Sequence, residues 1–216
     1  MNIYVDFDDT ITDSLETLLI IANQRYDTNV TKKDIKKWSF DGLFGDTPNQ
    51  EVASIFGEEK FFNRLHLKDR CLITLSGLSR RNNVYIVSKV VSTEGMQRKY
   101  NWIKDNLMGF CNNLEFIGIP IKVSKGDINM EGGIMIDDNV NFLNETNAKY
   151  KIFYNNHRPF DETQEWDGLE VDNWQDLLIV IKEILIKEKG VKNGKLSIIL
   201  LRYETNSSFS LSENPL

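Results

Sequence analysis

The 216-residue sequence has only two cysteines, Cys71 and Cys111, which lie far apart and lack the spacing of metal ligands. Both are expected to be reduced, buried thiols of a cytosolic protein. Net positive charge is also missing, because the formal charge of the chain is −6. An acidic balance argues against a broad nucleic-acid or membrane surface, but it allows a local phosphate site.

Long apolar runs are absent as well. No segment reaches about 18 uninterrupted apolar residues, so no membrane span is predicted. The N-terminus has neither a basic region nor a long apolar stretch, and no signal peptide is expected. The composition, 41% apolar and 27% charged, is typical of a soluble globular protein with one core and a small appended domain.

Short apolar runs alternate with helical patterns, which is typical of an α/β fold with a central parallel sheet. Five strands are predicted, at residues 2–7, 84–88, 114–117, 134–137 and 151–154. A helix is predicted over 14–26 with Thr12 or Asp13 as its cap, and another after Ser92. The apolar face of the second is predicted to be Met96, Tyr100, Ile103 and Leu107. A last helix follows an Asp172–Gln175 capping box and ends near Gly190.

The order of these elements divides the chain into three parts. Residues 1–13 and 69–190 are predicted to form a Rossmann-like three-layer core. About sixty residues without a convincing sheet strand follow the first strand, so residues 14–68 are interpreted as a small, mainly helical cap inserted there. Residues 191–216 are expected to be an extra, partly mobile segment with a candidate strand at 196–203.

Three carboxylates end the first predicted strand, Asp6, Asp8 and Asp9, and the hydroxyl of Thr10 follows them. Like charges repel one another, so a divalent cation or a shared proton must offset them. Residues i and i+2 of a strand point the same way, and Asp6 and Asp8 are therefore predicted to face one pocket. One carboxylate could attack phosphorus while the other transfers a proton. The alternative is a solvated acidic turn that caps a helix.

A second acidic pair, Asp137 and Asp138, ends the fourth predicted strand. Because the carboxyl ends of parallel strands share one edge of a sheet, this pair is expected to meet Asp6 and Asp8. Four carboxylates at one edge suit an oxygen-ligated, octahedral Mg²⁺ ion. The alternative is an Asp-Asn turn that caps the next helix.

Two further residues could bind phosphate at this edge. Ser88 ends the second predicted strand, where a hydroxyl and backbone N–H groups can hold phosphate oxygens, although it could simply begin the next helix. Lys125, twelve residues before Asp137, could offset the charge of the carboxylates and of a phosphoryl group. Lys122 competes with it for this role.

In this order, Asp6-Phe7-Asp8-Asp9-Thr10, Ser88, Lys125 and Asp137-Asp138 resemble the motifs of the haloacid-dehalogenase-like hydrolase superfamily, over roughly residues 1–186. The resemblance implies that Asp6 is the nucleophile and Asp8 the general acid and base. It implies Mg²⁺ ligated by Asp6, the Asp8 backbone carbonyl and Asp138, with Asp137 in support. Thr10 and Ser88 would steady the loop and the phosphate, and Lys125 would brace Asp6.

The sequence also resembles the 5′(3′)-deoxyribonucleotidase family of cytosolic type C. This resemblance rests on the cap and on Lys99-Tyr100-Asn101-Trp102-Ile103, Phe153-Tyr154-Asn155-Asn156 and Val171-Asp172-Asn173-Trp174. The sequence departs from the better-known members at Asp9, where they have glycine, and in the residues beyond Lys189. Asp9 is interpreted as a loop residue.

Aromatic residues of the cap bear on the substrate. Trp38, Phe40 and Phe44 flank a turn-rich loop and are the candidates for stacking on a base, with ordinary packing as the alternative. His66 and His157 look unconnected to the site, and Arg158 is interpreted as a surface charge.

The predicted function is a Mg²⁺-dependent phosphatase with an aspartyl-phosphate intermediate, a 5′(3′)-nucleotidase acting on (deoxy)nucleoside monophosphates in the cytoplasm. One alternative is a phosphatase for another small phosphate ester or a polynucleotide end. The other is a catalytically quiet, phosphoryl-binding or regulatory protein. No membrane partner and no extended nucleic-acid surface is expected, and a homodimer is left open.

Overall fold

The computed structural model describes residues 1–190. Their six strands are β1 Asn2–Val5, β2 Asn83–Val90, β3 Leu114–Pro120, β4 Ile134–Asp137, β5 Tyr150–Tyr154 and β6 Leu169–Val171. All of them pair in parallel, in the order β3-β2-β1-β4-β5-β6. The predicted parallel α/β sheet is confirmed, but β6 was missed because its three residues are too few to show a pattern. The candidate strand at 196–203 lies outside the described residues.

The helices within residues 1–190 are α1 Ser14–Tyr26, α2 Asn49–Ser54, α3 Glu59–Phe62, α4 Cys71–Ser79, α5 Thr93–Ile103, α6 Val140–Glu145 and α7 Trp174–Glu188. Short 3₁₀ helices lie at Lys32–Asp34, Ile55–Gly57, Lys125–Asp127 and Asp161–Thr163, and a π-helical turn at Lys104–Met108 extends α5. In this part of the chain, no helix has both the length and the apolar character that a bilayer crossing requires.

Residues Met1–Leu177 form one compact unit, which contains every described strand. The described part of the second unit, from Leu178, is the rest of α7. In the first unit the central strands are buried, as apolar runs of a parallel sheet predict. One face of the sheet packs on α6 through the cluster Tyr4, Val87, Ile119, Met130, Met135, Val140, Leu143, Ala148 and Phe153. The thiols of Cys71 and Cys111 are free and buried, and burial raises the pKa of both.

The ends of two helices differ from the prediction. Helix α1 has the predicted bounds, but neither Thr12 nor Asp13 caps it with a side chain, because the Leu15 N–H donates to Asp9 Oδ1 over 2.8 Å. At α7 the Asn173 side chain accepts the N–H groups of the first turn. The predicted Asp172–Gln175 capping box is therefore wrong, since the Asp172 carboxylate pairs with other side chains.

Helix α5 begins as predicted, with the Ser92 hydroxyl accepting the Gly95 N–H over 3.0 Å. Of the predicted buried face, Ile103 and Leu107 are buried, but Tyr100 was placed there wrongly, because it is exposed and Lys99 is buried instead. The buried positions of the helix are Gly95, Lys99, Trp102 and Ile103. The cause is the charge of Lys99, which turns toward an acidic group described below.

The segment between β1 and α4 contains α1, α2 and α3. Its two ends lie next to each other where the chain leaves the core and returns to it. Thr12 pairs with Leu67, and the Lys68 N–H donates to the Ile11 carbonyl over 2.9 Å. Inside the segment, neighbouring ring centres lie 5.3–6.5 Å apart among Tyr26, Phe40, Phe44, Phe56, Phe61 and Phe62. These rings give the segment an apolar cluster of its own.

Candidate active site

Acidic side chains meet where the carboxyl ends of β1 and β4 lie next to each other. The register pairs Val5 with Ile136, and the Asp6 N–H donates to the Ile136 carbonyl over 2.9 Å. Asp6, Asp137 and Asp138 are all buried, and each offers an oxygen within 4.8 Å of the others. Asp6 therefore meets the second acidic pair at one edge of the sheet, at the position where ligands bind to such sheets, whereas Asp8 is not a member of this group.

Lys125 neutralises part of this acidic cluster. Its Nζ donates to Asp6 Oδ1 over 2.5 Å and to Asp137 Oδ2 over 2.6 Å, and its side chain is completely buried. The next residue, Gly126, has no room for a side chain, because a Cβ there would lie 2.5 Å from the Glu145 carbonyl oxygen. Lys122 is exposed, so of the two candidate lysines the fold brings Lys125 to the carboxylates.

Burial governs the charge of these carboxylates. It raises the pKa of Asp6 to about 7, against the attraction of Lys125 and with a further increase from Asp137 and Asp8. It also raises the pKa of Asp137 and of Asp138. Burial alone would lower the pKa of Lys125, but its two acidic partners outweigh burial and raise that pKa. Negative charge in this cluster is therefore costly unless more positive charge arrives.

Asp8 is more open to solvent than Asp6, because its side chain is 29% exposed and that of Asp6 is 8% exposed. Ser14 donates to Asp8 Oδ1 over 2.8 Å, while Ser88 donates to Oδ2 over 3.1 Å. Lys99 Nζ also donates to Oδ2, over 2.5 Å. Two carboxylates in such different environments can divide a reaction between them.

Sequence reasoning missed Lys99, which bridges Asp8 and Ser88. Its Nζ lies 2.8 Å from Ser88 Oγ and its side chain is 3% exposed. The sequence did contain a signal for this role. Lys99 lies on the same face of α5 as Gly95 and Trp102, and it is the charged residue among them. A lysine is rarely buried unless it is paired, so this position indicated an acidic partner.

The interpretation of Arg158 as a surface charge was wrong, because its side chain is only 3% exposed. Nη1 donates to Asp9 Oδ2 and Nη2 to Asp138 Oδ2, each over 2.7 Å, and the guanidinium also donates to Asp161. Arg158 follows β5, whose carboxyl end lies at the same edge of the sheet as those of β1 and β4. The edge rule that located the acids could therefore have indicated Arg158.

Asp9 does more than occupy a loop. One carboxylate oxygen accepts the Leu15 N–H at the start of α1 and the other accepts Arg158. Its φ of 57° is left-handed, a conformation in which glycine carries no steric cost. The strained backbone at Asp9 is therefore accompanied by two favourable interactions of its side chain, a helix cap and a buried ion pair.

The predicted phosphate- and base-binding residues lie in different surroundings. Thr10 is buried, and its Oγ1 has no hydrogen-bond partner in the described part of the chain. Phe40 and Phe44 are only 7% and 2% exposed, which favours packing over base stacking for both rings. Trp38 is 43% exposed, and Arg158 Cζ lies 5.0 Å from its ring centre.

The donor set of the cluster fits a hard divalent cation. Asp6, Asp137 and Asp138 supply only carboxylate oxygens, the ligand type that such cations prefer. A cation there would also offset the repulsion that burial creates among these carboxylates. The cluster could therefore hold a metal ion.

Comparison with known proteins adds a family and a fold. A family model described as "5′ nucleotidase, deoxy (Pyrimidine), cytosolic type C protein" matches residues 1–187. A comparison with curated proteins found no match.

Three solved structures illustrate the likeness of the fold. A HAD-hydrolase from Bacillus subtilis, YfnB, bound to magnesium, has a TM-score of 0.55 at 16% identity and covers 83% of this chain and 97% of its own. A haloacid dehalogenase-like hydrolase from Streptococcus pneumoniae has a TM-score of 0.56 at 15% identity, with 83% and 97% covered. CbbY from Rhodobacter sphaeroides, in complex with xylulose-(1,5)bisphosphate, has a TM-score of 0.53 at 12% identity, with 82% and 95% covered. At such low identity the likeness shows the fold alone.

Proposed function

The chain belongs to the cytosolic type C 5′-nucleotidase family of phosphoric monoester hydrolases, and from this premise we propose that it removes phosphate from nucleoside monophosphates in a Mg²⁺-dependent reaction. The observation that carries the proposal is the meeting of Asp6, Asp137 and Asp138 with Lys125 at one edge of the sheet. The enzyme class follows from the family, whereas the substrate and the residue roles are our proposal.

Asp6 is the proposed nucleophile. Lys125 occupies Asp6 Oδ1, which leaves Oδ2 to attack phosphorus in line with the leaving oxygen. The new O–P bond gives an aspartyl-phosphate as the bond from phosphorus to the nucleoside oxygen breaks. Lys125 keeps its positive charge in this site and stabilises the carboxylate before attack and the phosphoryl oxygens during it.

Asp8 is the proposed proton carrier. It lies two residues from Asp6, and its partly exposed carboxylate is oriented by Ser14, Ser88 and Lys99. Asp8 protonates the nucleoside oxygen as it leaves. It then accepts a proton from the water that attacks the aspartyl-phosphate, so that inorganic phosphate is released and Asp6 is regenerated.

Asp6 and Asp138, with Asp137 in support, are the proposed Mg²⁺ ligands, together with the Asp8 backbone carbonyl. When bound, Mg²⁺ would offset charge on these acids and on the phosphate oxygens. Ser88 and Thr10 are the proposed hydroxyl contacts of the loop and the phosphate. The buried Thr10 Oγ1, which has no partner within residues 1–190, supports this assignment.

Residues 14–68 are the proposed cap, which would exclude bulk water from the reaction. The side-by-side entry and exit of the segment at Thr12 and Leu67 support an insertion of this kind. Among the aromatic residues singled out from the sequence, Trp38 is the remaining candidate for contact with a base. The cytosolic type of the family supports the cytoplasm as the proposed location.

The test is release of phosphate from a panel of phosphate esters, with Mg²⁺ and with chelator. We expect deoxynucleoside and nucleoside monophosphates to be the best substrates and Asp6→Asn to abolish release. Asp105→Asn, on an exposed aspartate of the helical turn after α5, is the matched control and should leave release unchanged. Preference for a sugar phosphate or a polynucleotide end would reject the substrate, and full activity of Asp6→Asn would reject the mechanism.

A further inference from the structure

A contact between the cap and the core reaches the acidic cluster through Arg158. Trp38 belongs to the proposed cap, whereas Arg158 and Phe160 follow β5. The Arg158 guanidinium lies 5.0 Å from the Trp38 ring centre, and the ring centres of Trp38 and Phe160 are 5.2 Å apart in an edge-to-face arrangement. A cation over an indole face is attracted to it, so this contact stabilises the docked cap.

The same guanidinium fixes one oxygen of Asp138. Nη2 donates to Asp138 Oδ2 and also to Asp161 Oδ1, while Nη1 donates to Asp9 Oδ2, all over 2.7 Å. Asp161 therefore anchors the arginine from its own loop, and Asp9 anchors it from the loop after β1. The Trp38 ring lies against the Arg158 guanidinium, whose N–H groups donate to the carboxylates. The position of the Arg158 side chain therefore depends both on the cap and on these carboxylates.

We propose that Arg158 is a positioning residue that couples docking of the cap at Trp38 to cation binding at Asp138. This inference rests on the proposed Mg²⁺ site. Ligands of a metal ion are themselves held by outer partners, whose loss commonly weakens metal binding. Here the outer partner of Asp138 is itself held by the cap, so a bound cation favours the docked cap and a docked cap favours the cation. Such coupling is reciprocal.

A second contact between cap and core is built in a related way. Gly57 of the cap packs against Gly95 in the first turn of α5, where a Cβ on Gly95 would lie 3.2 Å from Gly57 Cα. Arg98 Nη1 donates to the Gly57 carbonyl over 2.7 Å. The same helix carries Lys99, which holds Asp8. At both contacts, the core segment that touches the cap also delivers a basic side chain to a site carboxylate.

Calorimetric titration of the metal-free, full-length protein with MgCl₂, without nucleotide, tests the coupling. Trp38→Ala removes the ring and leaves every carboxylate and every charge in place. We expect this variant to bind Mg²⁺ about twofold to tenfold more weakly, and Trp38→Phe to lie between it and the unmodified protein. An unchanged or tighter dissociation constant in Trp38→Ala would overturn the inference.

Absence of nucleotide separates this role from base stacking. If Trp38 only stacked on a base, Trp38→Ala would raise the KM for nucleotide and leave Mg²⁺ binding unchanged, which counts against the coupling. Hydrogen exchange gives a second readout. We expect Mg²⁺ to slow exchange over residues 32–48 in the unmodified protein and to slow it less in Trp38→Ala. Equal protection in both proteins would also overturn the inference.

Arg158→Lys keeps the charge but removes the planar fork, and it should weaken Mg²⁺ binding as well. Arg25→Lys is the matched control, because Arg25 also donates two bonds to one carboxylate, that of Glu58, and that pair touches none of the site carboxylates. If the unmodified protein binds no Mg²⁺, the proposed function and this inference fail together. If it binds Mg²⁺ and the Trp38 variants bind equally well, only the coupling fails.

Discussion

Lys99 Nζ donates to Asp8 Oδ2 over 2.5 Å, although the two residues lie 91 positions apart in the sequence. The lysine is 3% exposed, and its Nζ lies 4.6 Å from the centre of the Phe7 ring. A buried ammonium of this kind is stable only while its acidic partner remains in place. The pair therefore restrains the carboxylate of Asp8, the proposed proton carrier, two residues from the nucleophile Asp6.

Replacing Lys99 tests whether this pair supports catalysis. Lys99→Met keeps the length of the side chain and leaves Asp8 held by two serine hydroxyls alone. We expect kcat for a nucleotide to fall about tenfold to a hundredfold, because a misplaced catalytic group loses effective molarity. Steady-state kinetics measures the effect. Lys104→Met, at an exposed lysine directly after α5, is the control, and equal kcat values for the two variants would count against the role of Lys99.

The proton-carrying role of Asp8 predicts a dependence on the leaving group. Asp8→Asn cannot donate a proton, so we expect a large loss of kcat/KM for a nucleotide, whose alkoxide leaves poorly. The rate of the first step, formation of the aspartyl-phosphate, should fall less for p-nitrophenyl phosphate, because its phenolate leaves without needing a proton. Single-turnover release of nucleoside and of p-nitrophenol measures that step. Equal losses for the two substrates would argue against general acid catalysis by Asp8.

Lys125 has a structural role that a stability measurement can isolate. Lys125→Met leaves Asp6 and Asp137 buried without their cation, and we expect the free energy of unfolding to fall by about 3–5 kcal/mol. Urea denaturation followed by circular dichroism measures it. Lys122→Met changes an exposed side chain and should stay within about 0.5 kcal/mol of the unmodified protein. A small effect at Lys125 would mean that these two carboxylates do not need its charge.

Asp9 provides a test of backbone strain against side-chain bonding. Asp9→Gly relieves the left-handed conformation but removes the helix cap at Leu15 and one partner of Arg158. We expect a net loss of about 1–3 kcal/mol of unfolding free energy, since the cap and the ion pair outweigh the strain. Asp9→Asn keeps a cap acceptor and should lose less. Stabilisation by glycine would show that strain dominates at this position.

The raised pKa of Asp6 predicts how stability changes with pH. Folding raises this pKa from 3.8 to about 7, so between these values the folded state binds the proton that the unfolded state has released. The stability of metal-free protein should therefore fall as pH rises through this window. Thermal unfolding in chelator at about pH 5 and about pH 8 should give the lower midpoint at about pH 8. Mg²⁺ should raise the midpoint more at the higher pH, because protons compete with the cation.

In Asp6→Asn this pH dependence should become smaller, because the substituted amide does not titrate. The variant is the control for the contribution of Asp6, since burial also raises the pKa of Asp137 and of Asp138. A midpoint for metal-free protein that rises steadily from about pH 5 to about pH 8 would contradict the prediction.

The parallel sheet was predictable from the sequence because its inner strands are short and uniformly apolar, as strands buried on both faces must be. The acidic edge was also predictable, because acidic residues lie at the carboxyl ends of β1 and β4. Asp6 and Asp8 follow β1, Asp137 ends β4 and Asp138 follows it. The same local reasoning failed for β6, which is only three residues long, and for two positions of α5, where the charged Lys99 is buried and the aromatic Tyr100 is exposed.

The sequence by itself determined five of the six described strands and the edge at which the acids gather, because both follow from periodicity and from the shared direction of parallel strands. Only the tertiary structure decided which cations face which acids. Lys99 reaches Asp8 from a helix and Arg158 reaches Asp138 from the loop after β5, pairings that depend on distances between distant segments. A buried charge is tolerated only beside its partner, and no local pattern states where that partner lies.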